Sequence, residues 1–125
     1  MIKGCGGIVL KNGHILLIKR KNAKRFDGIW SNPGGQVEKD ESTENAVVRE
    51  LLEEIGIKTR IKRFIFDYKD YEGETLVGVY SGYLVETEDE PKIKEENKIE
   101  DMKWFSLNNL PENVAPYTLE YIQRL

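Results

Sequence analysis

Two apolar runs, Ile8-Val9-Leu10 and Ile15-Leu16-Leu17-Ile18, flank Lys11-Asn12-Gly13-His14. Asn-Gly tolerates the positive φ of a tight turn, so the pattern predicts a pair of hairpin strands, with Gly6 and Gly7 as a strand start or bulge. Residues 19–28 are polar and basic and predict a loop at a binding edge, containing Lys19, Arg20, Lys21, Lys24 and Arg25 beside Phe26. Pro33-Gly34-Gly35 follows, a locked φ and then two permissive residues, which fixes a sharp backbone path. The strongest helix signal covers Thr43 to Ile55, with Ser42 as N-cap, Glu44 in the first turn and Gly56 as stop. At about 100° per residue, Val47, Val48, Leu51, Leu52 and Ile55 share one broad arc, and Glu50, Glu53 and Glu54 are expected on the opposite side. Branched and alternating apolar patterns then predict strands over residues 57–68, 75–85 and 98–106, with residues 69–73 as a turn. A closing helix is predicted over residues 117–124, after Pro116. This order of elements implies an α/β or α+β sandwich with a mixed sheet, though several small layered folds accept it.

The chain has 125 residues, which predicts one domain spanning residues 1–125. Its formal charge of −3 gives no electrostatic reason to expect a nucleic-acid polymer as partner. No apolar run approaches the roughly 20 residues of a membrane span, and the N-terminal residues do not resemble a secretory signal. Cys5 is the only cysteine, so no intrachain disulfide forms, and the cytoplasm is the expected compartment. The carboxylates at residues 86–90 are too few for an acidic tail and predict a solvated loop or hairpin end.

Glu50, Glu53 and Glu54 place three like charges at i, i+3 and i+4, an arrangement that destabilises a helix unless something positive answers it. Arg49 reaches Glu53 at i+4, but one guanidinium does not offset three carboxylates, and Glu41 lies just upstream. Hard divalent cations favour carboxylate, carbonyl and water oxygens, so the pattern suits Mg²⁺ or Mn²⁺. One histidine, His14, with a distant Cys5 does not make a zinc site. Read alone, the segment is more simply the wet face of an amphipathic helix. The Pro33-Gly34-Gly35 turn changes the balance, because two bare glycines let a backbone carbonyl approach a ligand.

Gly35, five residues, Glu41, seven more, then Arg49-Glu50-Leu51-Leu52-Glu53-Glu54-Ile55-Gly56-Ile57 resembles the complete Nudix box. Trp30, the Pro33-Gly34-Gly35 turn and the strand near Trp104 extend the resemblance over most of the chain, towards small MutT-type members. It implies an αβα sandwich with a mixed β-sheet and hydrolysis of a nucleoside diphosphate linked to another group, by attack of water on a pyrophosphate phosphorus with Mg²⁺ or Mn²⁺ as cofactor. By the same resemblance Glu50, Glu53, Glu54 and the Gly34 carbonyl hold metal, supported by Glu41, while Arg49 orients Glu53 or Glu50. Glu50 leads as general base, with a purely ligating role as the alternative. Glu96 and Glu100 are both candidates for a further ligand or base.

For the small nucleotide substrate, Arg20 is the leading phosphate partner because it follows a predicted strand. Phe26, Tyr80, Trp104 and residues 113–117, with Asn113 as a polar reader, are candidates to border the base. Trp30 and Trp104 fit core or pocket-wall packing better than direct stacking. The expected reaction takes a (deoxy)nucleoside triphosphate to monophosphate and pyrophosphate. ADP-ribose, another nucleotide sugar or a dinucleotide is the alternative, and a nucleotide-binding regulatory module is the non-enzymatic one. A homodimer is compatible with the resemblance, although no heptad repeat calls for one.

Overall fold

A computed structural model describes residues 1–125, and its elements follow the order β1 (Ile2–Lys11), β2 (His14–Arg20), β3 (Trp30–Ser31), β4 (Gly34–Gln36), α1 (Thr43–Ile55), β5 (Arg60–Glu72), β6 (Thr75–Glu86), β7 (Ile99–Ser106) and α2 (Pro116–Gln123). β1 organises the sheet. Along one edge it runs parallel to β6, from Ile2 opposite Gly78 to Val9 opposite Val85. Along the other edge its first half takes β4 antiparallel, Gly4 opposite Gln36 and Gly6 opposite Gly34, and its end turns into β2. β2 in turn pairs antiparallel with β7 and with the short β3, and β5 closes the far side against β6.

The two faces are sorted by strand alternation. Leu16 and Ile18 join Val9, Val47, Leu51, Ile55 and Val85 in a core beneath α1. Their neighbours Ile15 and Leu17 join Ile8 and Tyr121 in a second core beneath α2. The sheet is therefore sandwiched between the two helices, the expected αβα arrangement. No helix is long and apolar enough to cross a membrane.

α1 begins and ends as its sequence dictates. The Ser42 Oγ accepts from the Asn45 N–H at 3.1 Å, and Gly56 adopts φ 69°, a left-handed cap that L-residues with side chains disfavour. Other expectations need correction. Gly6 and Gly7 lie inside β1, where a side chain on Gly6 would collide with the Asn32 amide and one on Gly7 with Leu51. Lys19 and Arg20 belong to β2 rather than to a loop. The β5–β6 ladder runs on through residues 69–72 to Glu72 opposite Thr75, so the turn is confined to Gly73-Glu74, and residues 57–59 precede the strand.

Candidate active site

α1 does not turn all three glutamates to water. Leu52 is 46% exposed, whereas Glu54 is 2% exposed. The signal was present in the periodicity: Glu54 falls seven residues after Val47 and three after Leu51, on the buried stripe. α1 lies against β1 and β4, so Glu50 and Glu54 face the backbone of Gly34 and Gly35. A side chain on Gly34 would strike the Cys5 carbonyl, and one on Gly35 would strike the Glu50 carboxylate. Gly34 thus lets β4 lie against β1, and Gly35 lets the carboxylate-bearing helix close on β4.

Each oxygen of the buried Glu54 carboxylate has a partner. Its Oε1 accepts the Gly34 N–H at 2.8 Å, and its Oε2 accepts from Arg20 Nη1 at 2.9 Å. Arg20 Nη2 donates to the Gly34 carbonyl at 2.8 Å. Burial still pushes the Glu54 carboxyl up from its ordinary value, against the Arg20 charge and hydrogen bond. Glu50 is also pushed up, first by burial and then by the neighbouring Glu54 charge, with Arg49 opposing.

Arg49 serves several carboxylates at once. It donates to both oxygens of Glu41 at 2.8 and 2.9 Å, to Glu50 at 3.0 Å, to Glu53 at 3.2 Å and to the Gln36 carbonyl at 3.0 Å. Its hydrogen bonds hold the Glu41 carboxyl down to about 2. Glu53 sits on the outer margin of this set with its side chain 49% exposed.

Carboxylate oxygens of Glu50, Glu54 and Glu95 lie within 4.8 Å of one another. Glu95 is the residue that sequence reasoning missed. It lies on an irregular segment that crosses the C-terminal end of α1, where the Lys92 and Lys94 N–H groups donate to the carbonyls of Ile55 and Glu54 at 2.9 and 2.8 Å. Those two bonds fix its register, and no residue pattern announces them. Glu96 is exposed and outside the cluster. Glu100 is also outside, with its carboxylate 3.4 Å from Lys19.

Beside the cluster opens a cavity of about 350 Å³, lined by Arg20, Phe26, Asn32, Gly34, Tyr80 and Tyr117 among others. Phe26 meets Tyr117 edge to face at 5.3 Å between centroids, and Tyr80 meets Tyr117 in the same way at 5.4 Å. A side chain on Gly4 or Gly78 would collide with the Tyr80 ring, so both glycines let that ring lie close against the sheet. Asn113 is not among the lining residues; it is exposed, and its carbonyl accepts the Trp30 N–H at 2.8 Å. The amides that do line the cavity are Asn22, Asn32 and Gln36, of which Asn32 is buried, accepting from the Thr118 hydroxyl at 2.6 Å and donating to the Pro33 carbonyl at 3.1 Å. Trp30 packs edge to face on Phe105 at 4.9 Å, and Trp104 packs against the core beneath α1.

The site thus joins a sheet between two helices, a glycine-bearing strand closed against a glutamate-rich helix, and an aromatic cavity. The chain belongs to the Nudix family, whose domain model, described as NUDIX domain, matches residues 4–125. The chain is 37% identical over 105 residues to an ADP-ribose pyrophosphatase from Methanocaldococcus jannaschii, covering 84% of this chain and 62% of that protein. It is 38% identical over 69 residues to a CTP pyrophosphohydrolase from Escherichia coli, covering 55% of this chain and 51% of that protein. The chain thus spans between half and two thirds of these relatives' lengths. A crystal structure of a MutT NUDIX hydrolase from Burkholderia pseudomallei matches with a TM-score of 0.91 at 32% identity, over 99% of this chain and 97% of that one.

Proposed function

We propose that the protein is a Mg²⁺-dependent nucleotide pyrophosphohydrolase that converts a (deoxy)nucleoside triphosphate to its monophosphate and pyrophosphate. The observation that carries this reading is the convergence of three carboxylates, Glu50, Glu54 and Glu95, near the Gly34 carbonyl at one side of an aromatic-walled cavity. Such an all-oxygen donor set fits Mg²⁺ or Mn²⁺ and not a thiophilic metal. Glu50, Glu54, Glu95 and the Gly34 carbonyl would hold the cation, and Arg20 now supplies positive charge at two of those groups. When bound, the cation supplies charge neutralisation on the phosphates and a lower pKa for attacking water.

The chain's own residues supply the rest. Burial raises the proton affinity of Glu50, which suits the general base that accepts the proton of attacking water. Arg49 positions Glu50 and Glu53 and is itself anchored by Glu41, so Glu41 acts on the cluster from behind. Arg20, once drawn from Glu54, reaches substrate phosphate, while Phe26 and Tyr80 offer aromatic faces to the base. A single buried thiol suits the cytoplasm.

ADP-ribose is the second reading, favoured by the name and the 37% identity of the archaeal relative. A product-resolved panel of ribo- and deoxyribonucleoside triphosphates, ADP-ribose and dinucleotides with Mg²⁺ tests both. Monophosphate with pyrophosphate supports the first, AMP with ribose 5-phosphate the second. Absence of Mg²⁺-dependent turnover across the panel by folded protein refutes the assignment.

A further inference from the structure

The segment between β2 and β3 carries Phe26 over the cavity, and no backbone hydrogen bond ties Lys24, Arg25 or Phe26 to the sheet. Its anchor is a side chain. Arg25 donates from Nε and Nη2 to the two oxygens of Asp70, each at 2.7 Å, and from Nη1 to Glu72. Asp70, on β5, is 4% exposed, and its Oδ2 also accepts the Tyr80 hydroxyl at 2.6 Å. One buried carboxylate thereby fixes two walls of the cavity from outside it: Tyr80 directly, and Phe26 through the adjacent Arg25. Phe26 needs such a restraint, since it stands at φ 57°, a region unfavourable for a bulky residue. The Arg25 guanidinium also lies 5.1 Å from the Phe26 ring centroid. Asp70 touches none of the carboxylates around α1, so the chemistry described above gives it no role.

We propose that Asp70 is a positioning residue for the nucleobase: through Arg25 and Tyr80 it holds the β2–β3 segment closed, so that Phe26 and Tyr80 present a preformed aromatic seat. This rests on the nucleotide reading, and it selects for an aromatic group at the far end of the substrate from the reacting phosphates. A bidentate carboxylate–guanidinium pair holds a fixed orientation that neither a lysine nor an amide reproduces.

The test compares wild type with Asp70→Asn on a nucleoside triphosphate and on ribose 5-triphosphate, which has the same phosphates and no base. The expected result is a KM about tenfold higher for the nucleotide, as loss of a stacking seat implies, with kcat within twofold and the KM for ribose 5-triphosphate unchanged. Trypsin should cut faster after Lys24 in the variant, and nucleotide without Mg²⁺ should slow that cut. Arg25→Gln, which leaves the Asp70–Tyr80 bond in place, should raise the nucleotide KM in the same selective way but by no more than Asp70→Asn, and the double variant should be no worse than Asp70→Asn alone. If Asp70→Asn does not fold, Arg25→Lys keeps the charge, loses the paired geometry and should give the same KM pattern. An unchanged nucleotide KM, or an equal rise for ribose 5-triphosphate, overturns the proposal. If wild type hydrolyses no nucleotide, the hydrolase reading falls separately; calorimetric nucleotide binding, weakened in the variant, together with faster trypsin cutting still supports the seat, and equal binding overturns it.

Discussion

Replacing Arg20 with methionine removes the cation that contacts Glu54 while preserving most of the side-chain volume. Glu54 is 2% exposed and the Arg20 side chain 18% exposed, so the pair is largely withdrawn from water. Breaking such a pair from one side leaves a buried charge with less compensation and typically costs 3–5 kcal/mol. Residual access of water to Arg20 places this case at the lower end, about 3 kcal/mol. Urea unfolding in EDTA should therefore show a marked fall in the midpoint. The same substitution vacates the Glu54 Oε2 and Gly34 carbonyl positions that Arg20 occupies. Mn²⁺ or Mg²⁺ should then stabilise Arg20→Met more than wild type: a protein gains about 2.7 kcal/mol at a hundredfold excess over its own dissociation constant, and wild type at the same cation concentration should gain less because Arg20 competes for those oxygens. Equal stability of the two proteins in EDTA would refute the claim that Arg20 compensates Glu54. Equal gain from the cation in both would refute the claim that arginine and metal share these oxygens.

Three further outcomes follow from named contacts. Gly35→Ala places a methyl group against the Glu50 carboxylate and should lower turnover by about a hundredfold through misplacement of that group, with a far smaller change in the urea midpoint; unaltered turnover would show that Glu50 tolerates displacement. Glu53→Gln should abolish most turnover without unfolding the protein, because the side chain is half exposed and bonded to Arg49; a wild-type rate would remove Glu53 from the mechanism. For Asp70, burial alone would raise the carboxyl, but the Arg25 and Tyr80 hydrogen bonds and the Arg25 charge outweigh it and hold the group below its ordinary value of 3.8. A depressed folded value means that this stabilisation is present above about pH 4 and is lost as pH falls below it. Urea midpoints of wild type and Asp70→Asn should thus differ at pH 7, and the gap should narrow as pH falls below about 4, whereas a gap that does not narrow in acid would contradict the assignment.

Local rules carried much of this architecture. The Ser42 cap, the Gly56 stop and the hairpin that leads into the strand from Ile15 to Ile18 depend only on neighbouring residues, and each holds in the structure. The spacing from Gly35 to Ile57 made the glutamate-bearing helix legible, whereas Gly34 and Gly35, expected in a sharp turn, form strand β4 against β1. Glu54 shows where residue type misleads although the periodicity is right: a carboxyl occupies the apolar stripe because Arg20 and the Gly34 N–H, 34 and 20 residues away in sequence, satisfy it. Glu95 was hidden for a different reason. Its segment has no periodicity, and its position depends on N–H groups finding the last carbonyls of α1. Arg25 and Asp70, 45 residues apart, meet because the β5–β6 hairpin extends further than the turn-like residues 69–73 suggest.

Anomalous diffraction from crystals soaked with Mn²⁺ and a non-hydrolysable nucleoside triphosphate analogue tests the cation seat most directly. The account predicts a peak bounded by Glu50, Glu54, Glu95 and the Gly34 carbonyl, with Arg20 moved from Glu54 towards the phosphates. Nucleotide bound in the aromatic cavity with no peak among those oxygens would contradict it.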